Sequence, residues 1–220
     1  MAVSLVGAAA PAFRLPAAKG GPAAAVPAGR WSGSRALIYG SGMAFDREEV
    51  EAAFRRYWEL GAVGEDWDAW CDECFTDDVT YIEHILGNKK GREEVRAWIK
   101  PTMQEYGSIY TVYEWHMVGD DGRVVVYMQN RRDNPEPGAP PIDFPGMTVL
   151  QYAGDGRFSL EEDFWSLPEG IETMKRYEAA CRAHDPDHPN KRTRLDWGNG
   201  PDWTKGAASY AESRGARRAS

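Results

Sequence analysis

Cysteine is scarce: the 220 residues carry three, Cys71, Cys74 and Cys181. An odd, low count excludes a disulfide framework and fits a reducing, cytoplasmic compartment. Excess positive charge is also missing. The formal net charge is -8, which argues against a nucleic-acid surface, since that needs a clustered basic face. No apolar run approaches the length of a membrane span. There is no Gly-rich phosphate loop and no nucleophile elbow. What the chain does have is core-forming material: 42% hydrophobic and 12% aromatic residues, with nine Trp and ten Tyr.

The first 42 residues differ in kind from the rest. They are rich in Ala, Pro and Gly with little periodicity, a composition that cannot bury enough surface to order itself. A secretory signal is disfavoured, because a positive n-region is lacking and Pro11 breaks the apolar stretch. The segment reads as a disordered leader, or as sequence upstream of a start at Met43, and is set aside from the fold.

Order is expected from Asp46. "DREEVEAAFRRYWELG" offers Asp46 as N-cap with Glu49 three residues on, a capping-box pattern. Val50, Ala53, Phe54, Tyr57 and Trp58 recur at helical spacing, and Gly61 ends the run. A second helix over about 67–75 places Trp67, Trp70, Cys71 and Cys74 on one stripe. Next comes a short alternating strand that ends in Glu83 and His84. After "GNKKG" a third helix carries Val95, Trp98 and Ile99, with Pro101 as its expected limit.

The period then changes to two. "SIYTVYEWHMV" and "RVVVYMQNRRD" read as strands joined by the hairpin signal "GDDG". "NPEPGAPPID" reads as a Pro-rich loop, and "GMTVLQYA" and "FSLEEDFWS" as a second strand pair. A last helix, about 169–183, leads to a polar tail whose Trp197 and Trp203 predict packing on the domain. Helices ahead of an antiparallel meander give an α+β domain over 43–167, with a C-terminal helix and tail over 168–220. A strongly curved antiparallel sheet wrapped around the three helices would form a cone-shaped α+β barrel.

The stretches "CFTDDVTYIEHILGNKKGREEVRAWI" and "VLQYAGDGRFSLEEDFWS", in this order, resemble the nuclear-transport-factor-2-like superfamily. The likeness is closest to its SnoaL-like polyketide cyclases and ketosteroid isomerases. It covers about 45–167 and implies the cone-shaped fold, but not one function, because the superfamily hosts isomerases, dehydratases, cyclases and binding modules.

The resemblance implies candidate residues. Glu83 falls where ketosteroid isomerases hold their general base. Alternation puts Val79, Tyr81 and Glu83 on one face, so Glu83 is either a pocket base raised by burial or a strand-end carboxylate in solvent. Tyr57 is similar to the oxyanion-donating tyrosine of helix one, with Trp58 as the alternative because the helix junction carries an insertion. Thr148 stands at the second donor position, and Asp143 reads as a loop acid. The dehydratase branch uses an Asp and a His where this chain has "LGAVG" and "GSIYT", so that dyad is unsupported. His116 reads as a surface residue.

Trp58, Tyr81, Trp98 and His84 are the expected ligand contacts. His84 points outward if the strand is regular and inward if it ends in a bulge. Zinc needs four convergent ligands, whereas Cys71 and Cys74 lie one turn apart on an apolar stripe, and His184 and His188 lie in a polar loop. No metal and no cofactor is expected. The function expected is acid–base proton transfer, of isomerase or cyclase type, on an apolar cyclic carbonyl or hydroxyl compound. The alternative is a non-catalytic module that binds a small ligand or dimerises through its sheet. A homodimer is expected, because Tyr113, Trp115, Tyr127 and Met128 supply apolar groups to both sheet faces.

Overall fold

The structure is a computed structural model that describes residues 45–206. The leader assigned to 1–42 lies outside the described residues. Helix α1 spans Arg47–Trp58, and Asp46 caps it by accepting from the Glu48 N–H at 2.9 Å. The capping box is only half made, because the Glu49 carboxylate is engaged by the Tyr152 hydroxyl instead.

Gly61 does not end the run. Residues Glu59–Val63 continue as a π-helical turn at this junction. Gly61 is there for a close approach, since a Cβ on it would lie 2.6 Å from the Trp70 indole nitrogen. Helix α2 (Trp67–Cys74) follows, capped by Asp66.

Strand β1 (Phe75–Glu83) leads through a turn and the two-residue β2 (Lys89–Lys90) into helix α3 (Arg92–Glu105). Pro101 lies inside α3 rather than at its limit. The apolar stripe of Val95 and Ile99 extends to Met103, and the Thr102 hydroxyl bonds the Trp98 carbonyl at 2.7 Å. Tertiary packing therefore outweighs the proline penalty.

Strands β3 (Tyr110–Val118), β4 (Arg123–Arg132), β5 (Ile142–Gly154) and β6 (Arg157–Trp165) form the antiparallel meander. Strand β5 begins four residues earlier than the sequence implies and includes Pro145. The first β5 residue to pair with β6 is Gly146, opposite the last β6 residue, Trp165. Residues 142–145 thus pair with β4 alone, the edge setting in which a strand accommodates proline. Asp143 is consequently a strand residue, ion-paired with Arg131 at 2.6 Å, and not a loop acid.

The sheet order is β2-β1-β6-β5-β4-β3. It is mixed rather than wholly antiparallel, because β1 runs parallel to β6, with Tyr81 opposite Glu161 and Glu83 opposite Asp163. The curved sheet stays open, with β2 and β3 at its edges, and α1–α3 pack on its concave face. That core includes Phe54, Trp58, Trp70, Phe75, Val79, Leu150 and Phe158.

Helix α4 (Leu167–His184) packs on β5, with Tyr177 and Cys181 against Ile142. Ile142 and Phe144 share the alternation of Thr148 and Leu150, so α4 covers the far end of the same concave face. The tail packs on the domain: Trp197 meets Tyr110 at 5.1 Å between ring centres and Trp203 meets Tyr113 at 5.5 Å. Glu65, buried at the end of the π-turn region, accepts from Arg194 at 2.9 Å and from Arg192 at 3.0 Å.

Candidate functional site

Three inward positions on β1, Val79, Tyr81 and Glu83, are all buried, as strand alternation requires. Strand β6 supplies the other wall. A register shift between Tyr152 and Gln151 of β5, where Phe158 and Leu160 of β6 pair, resets the alternation of β6. Phe158 faces the core, and beyond the irregularity Glu161, Asp163 and Trp165 take the inward positions. The parallel β1–β6 pairing then sets Glu83 beside Asp163 and Tyr81 beside Glu161.

Four hydroxyl and indole donors converge on these acids. Tyr57, from α1, donates to Glu161 Oε1 at 2.8 Å. Tyr81 donates to Asp163 Oδ2 at 2.5 Å, and Thr148, opposite on β5, donates to Asp163 Oδ1 at 2.5 Å. The Trp165 indole N–H donates to Glu83 Oε1 at 2.9 Å, while the backbone N–H groups of Ile85 and Leu86 also reach the Glu83 carboxylate. Glu161 Oε2 is buried without a hydrogen-bond partner.

This arrangement opposes charge. Burial pushes the Glu161 carboxyl well above its ordinary range, and repulsion from Asp163 adds to that, against the bond from Tyr57 and the nearby Tyr81 hydroxyl. Asp163 keeps some solvent contact yet is packed round by protein, and desolvation lifts it from 3.8 to about 6. The bonds from Thr148 and Tyr81 oppose that rise, Glu83 repulsion adds to it, and His84 lowers it slightly. Burial also pushes the Tyr57 and Tyr81 phenols well up, so both remain donors.

The expected catalytic set of Glu83, Tyr57 and Thr148 is brought together, with each member next to a β6 acid that the sequence reading had not singled out. Tyr81 joins the cluster, and Trp98 lies against it at 5.1 Å. Trp58 does not join. It is buried against Phe54 and Tyr113, whereas Tyr57 reaches Glu161. Nor does His84, which is exposed on the outer face, bonded to Glu162 at 2.9 Å and stacked near Phe164. His116 is not a surface residue. A register shift between Tyr113 and Trp115 turns it inward, where it bonds Tyr113 at 2.9 Å and Glu51 at 2.6 Å.

The SnoaL-like domain family matches residues 48–160, which is half of the chain. The chain belongs to this family. It thereby falls within the nuclear-transport-factor-2-like superfamily. Solved structures similar to it include a protein with a ketosteroid isomerase-like fold from Catenulispora acidiphila, in complex with trimethylamine. That pair shares 23% identity over 57% of this chain and 91% of that one, with a TM-score of 0.44.

A candidate SnoaL-like polyketide cyclase from a Jannaschia species shares 23% identity over 61% and 98%, with a TM-score of 0.45. An epoxide hydrolase/cyclase-like enzyme of pyran ring formation in the polyether salinomycin shares 17% over 56% and 95%, with a TM-score of 0.46. These are likenesses of fold alone. No curated protein matches the chain.

In this SnoaL-like domain Glu161, Asp163 and Trp165 lie just past the matched residues. The available signal was the run "LEEDFW" itself: three acids in a strand that also carries aromatic residues. Reading its face required the β-bulge, which no period-two count contains.

A separate polar cleft of about 600 Å³, lined by Tyr113, Glu114, Arg131, Asp196 and the loop 198–201, shares no residue with the acids. Its guanidinium, Arg131, is neutralised by Asp143 and Asp196. Among the described residues no three His, Cys, Asp or Glu side chains are placed to hold a metal ion. No helix among them is long and apolar enough to cross a membrane.

Proposed function

We propose that this SnoaL-like domain is an enzyme that transfers protons on an apolar cyclic carbonyl or hydroxyl compound, using the acids of β6 and β1. Asp163 is the base. A carboxyl poised near 6 is ionised at neutral pH yet close enough in basicity to take a proton from carbon next to a carbonyl. Glu161, kept neutral by burial, has one oxygen free to donate to the substrate oxygen. Tyr57, Tyr81 and Thr148 fix the two acids, and Glu83 adds the neighbouring charge that keeps Asp163 basic. The carrying observation is the pair of inward carboxyls on one strand whose ionisation is opposed, one of them with an unpartnered buried oxygen.

A panel of cyclic ketones incubated with the protein in D2O tests the reading by mass spectrometry. Deuterium uptake next to the carbonyl, lost in Asp163→Asn, supports it. Binding of panel members without exchange supports the alternative of a ligand-binding module. One observation favours that alternative: Tyr57, Tyr81 and Thr148 already spend their protons on the acids.

The convex face supports the homodimer reading. Trp115, Tyr127, Met147 and Phe164 are consecutive register partners across β3, β4, β5 and β6, an apolar stripe with Trp115 and Phe164 exposed. Trp115 and Tyr127 stack at 5.5 Å. A second copy would cover this stripe, and light scattering giving a monomer at micromolar concentration counts against it.

A further inference from the structure

Trp165 is the last residue of β6, and α4 starts two residues later. The first turn of α4 brings Gly170 onto the six-membered ring of Trp165. A Cβ at Gly170 would lie 2.8 Å from Trp165 Cζ3 and 3.6 Å from the Phe144 ring. Only glycine fits there without moving the indole or the helix. Phe144 flanks the same indole at 5.7 Å. The other edge of the indole carries the N–H that reaches Glu83.

We propose that Trp165 is a positioning residue: its indole, seated against Gly170 of α4 and Phe144, holds the Glu83 carboxylate beside Asp163. This inference rests on the proton-transfer reading of the acids. It also gives α4, which lies outside the residues shared with the family, a part in the site. Helix α4 acts through the ring that holds Glu83.

The groups facing Glu83 are Asp163 on the neighbouring strand, the Trp165 N–H and the backbone N–H groups of Ile85 and Leu86. Those facing Asp163 are Glu83 and Tyr81 from the β1 side, Thr148 from β5 and Glu161 on its own strand, while His84 acts on it electrostatically from the outer face. When the indole N–H is lost, the Glu83 carboxylate loses the side-chain donor that holds it beside Asp163 and swings away, which weakens its repulsion of Asp163.

The test is a carboxyl-detected NMR titration of the full chain, with the Asp163 resonance assigned by its loss in Asp163→Asn. In Trp165→Phe, which keeps a ring and removes the donor, the Asp163 midpoint should fall by about half a pH unit or more. Glu83→Gln alone should produce a similar fall, and adding Trp165→Phe to it should produce no further change. Gly170→Ala serves as the second variant, with a downward shift from displacing the indole.

An Asp163 midpoint that is raised in the wild type but unmoved by both Trp165→Phe and Gly170→Ala overturns the inference and leaves the proton-transfer reading standing. A shift that persists undiminished in the Glu83→Gln background overturns it too, because the effect would then bypass Glu83. A wild-type midpoint near 3.8 removes the proton-transfer reading and this inference with it.

Discussion

Replacing Asp163 with Asn should make the protein more stable at neutral pH than at pH 4, relative to wild type. The folded carboxyl titrates at about 6 against 3.8 when unconstrained, so between those values the folded state holds a proton that the unfolded chain has released. Wild-type stability therefore falls as pH rises through this window and levels off above about 6. At 1.36 kcal/mol per pH unit the full difference is about 3 kcal/mol. Solvent reaching the half-buried carboxyl reduces this to about 2 kcal/mol.

Asparagine keeps the shape and cannot ionise, so that part of the slope vanishes. The amide pairs less well with the Thr148 and Tyr81 hydroxyls, which subtracts a constant at every pH. Urea unfolding of both proteins from pH 4 to 7 provides the assay. The difference in unfolding free energy should move in favour of Asp163→Asn by about 2 kcal/mol across the window. A difference that stays flat with pH would refute the claim that folding opposes this ionisation.

Other substitutions probe the surroundings of the site. Tyr57→Phe removes the hydroxyl that serves Glu161 and should lower stability by about 1–2 kcal/mol in urea unfolding. Gly61→Ala forces a methyl against the Trp70 indole and should cost about 1–3 kcal/mol by the same measurement, whereas the exposed Gly138, with nothing near it, sets no such packing limit. Arg194→Met breaks a fully buried contact with Glu65 and should cost about 3 kcal/mol or more, read as a loss of thermal stability at low and high salt alike.

Much of the fold was legible because its signals are local and periodic. The amphipathic stripe of α1, the hairpin turns and the alternation of β1 each bury the residues that their spacing implies. Glu83 reached the inner face for that reason. The misreadings share one cause, long-range pairing that no local window contains. Pro101 read as a boundary, yet packing through Met103 carries α3 past it, and pairing with β4 starts β5 before Pro145, inside the stretch read as loop. His116 changed face, and the β6 acids went unread, because bulges shift alternation by one residue. Gly61 read as a stop because its contact with Trp70 is tertiary. The residues most important to the proposed chemistry were therefore the hardest to read, since an acid facing a core contradicts the pattern that identifies the core.

The most direct measurement is the ionisation of Asp163 in the intact protein, followed by carboxyl NMR across pH 3 to 9. A midpoint near 6 that falls when Glu83 is replaced by Gln is the expected result, since burial and Glu83 together set it. A midpoint at the ordinary value of 3.8, insensitive to Glu83, would contradict the assignment of Asp163 as the base.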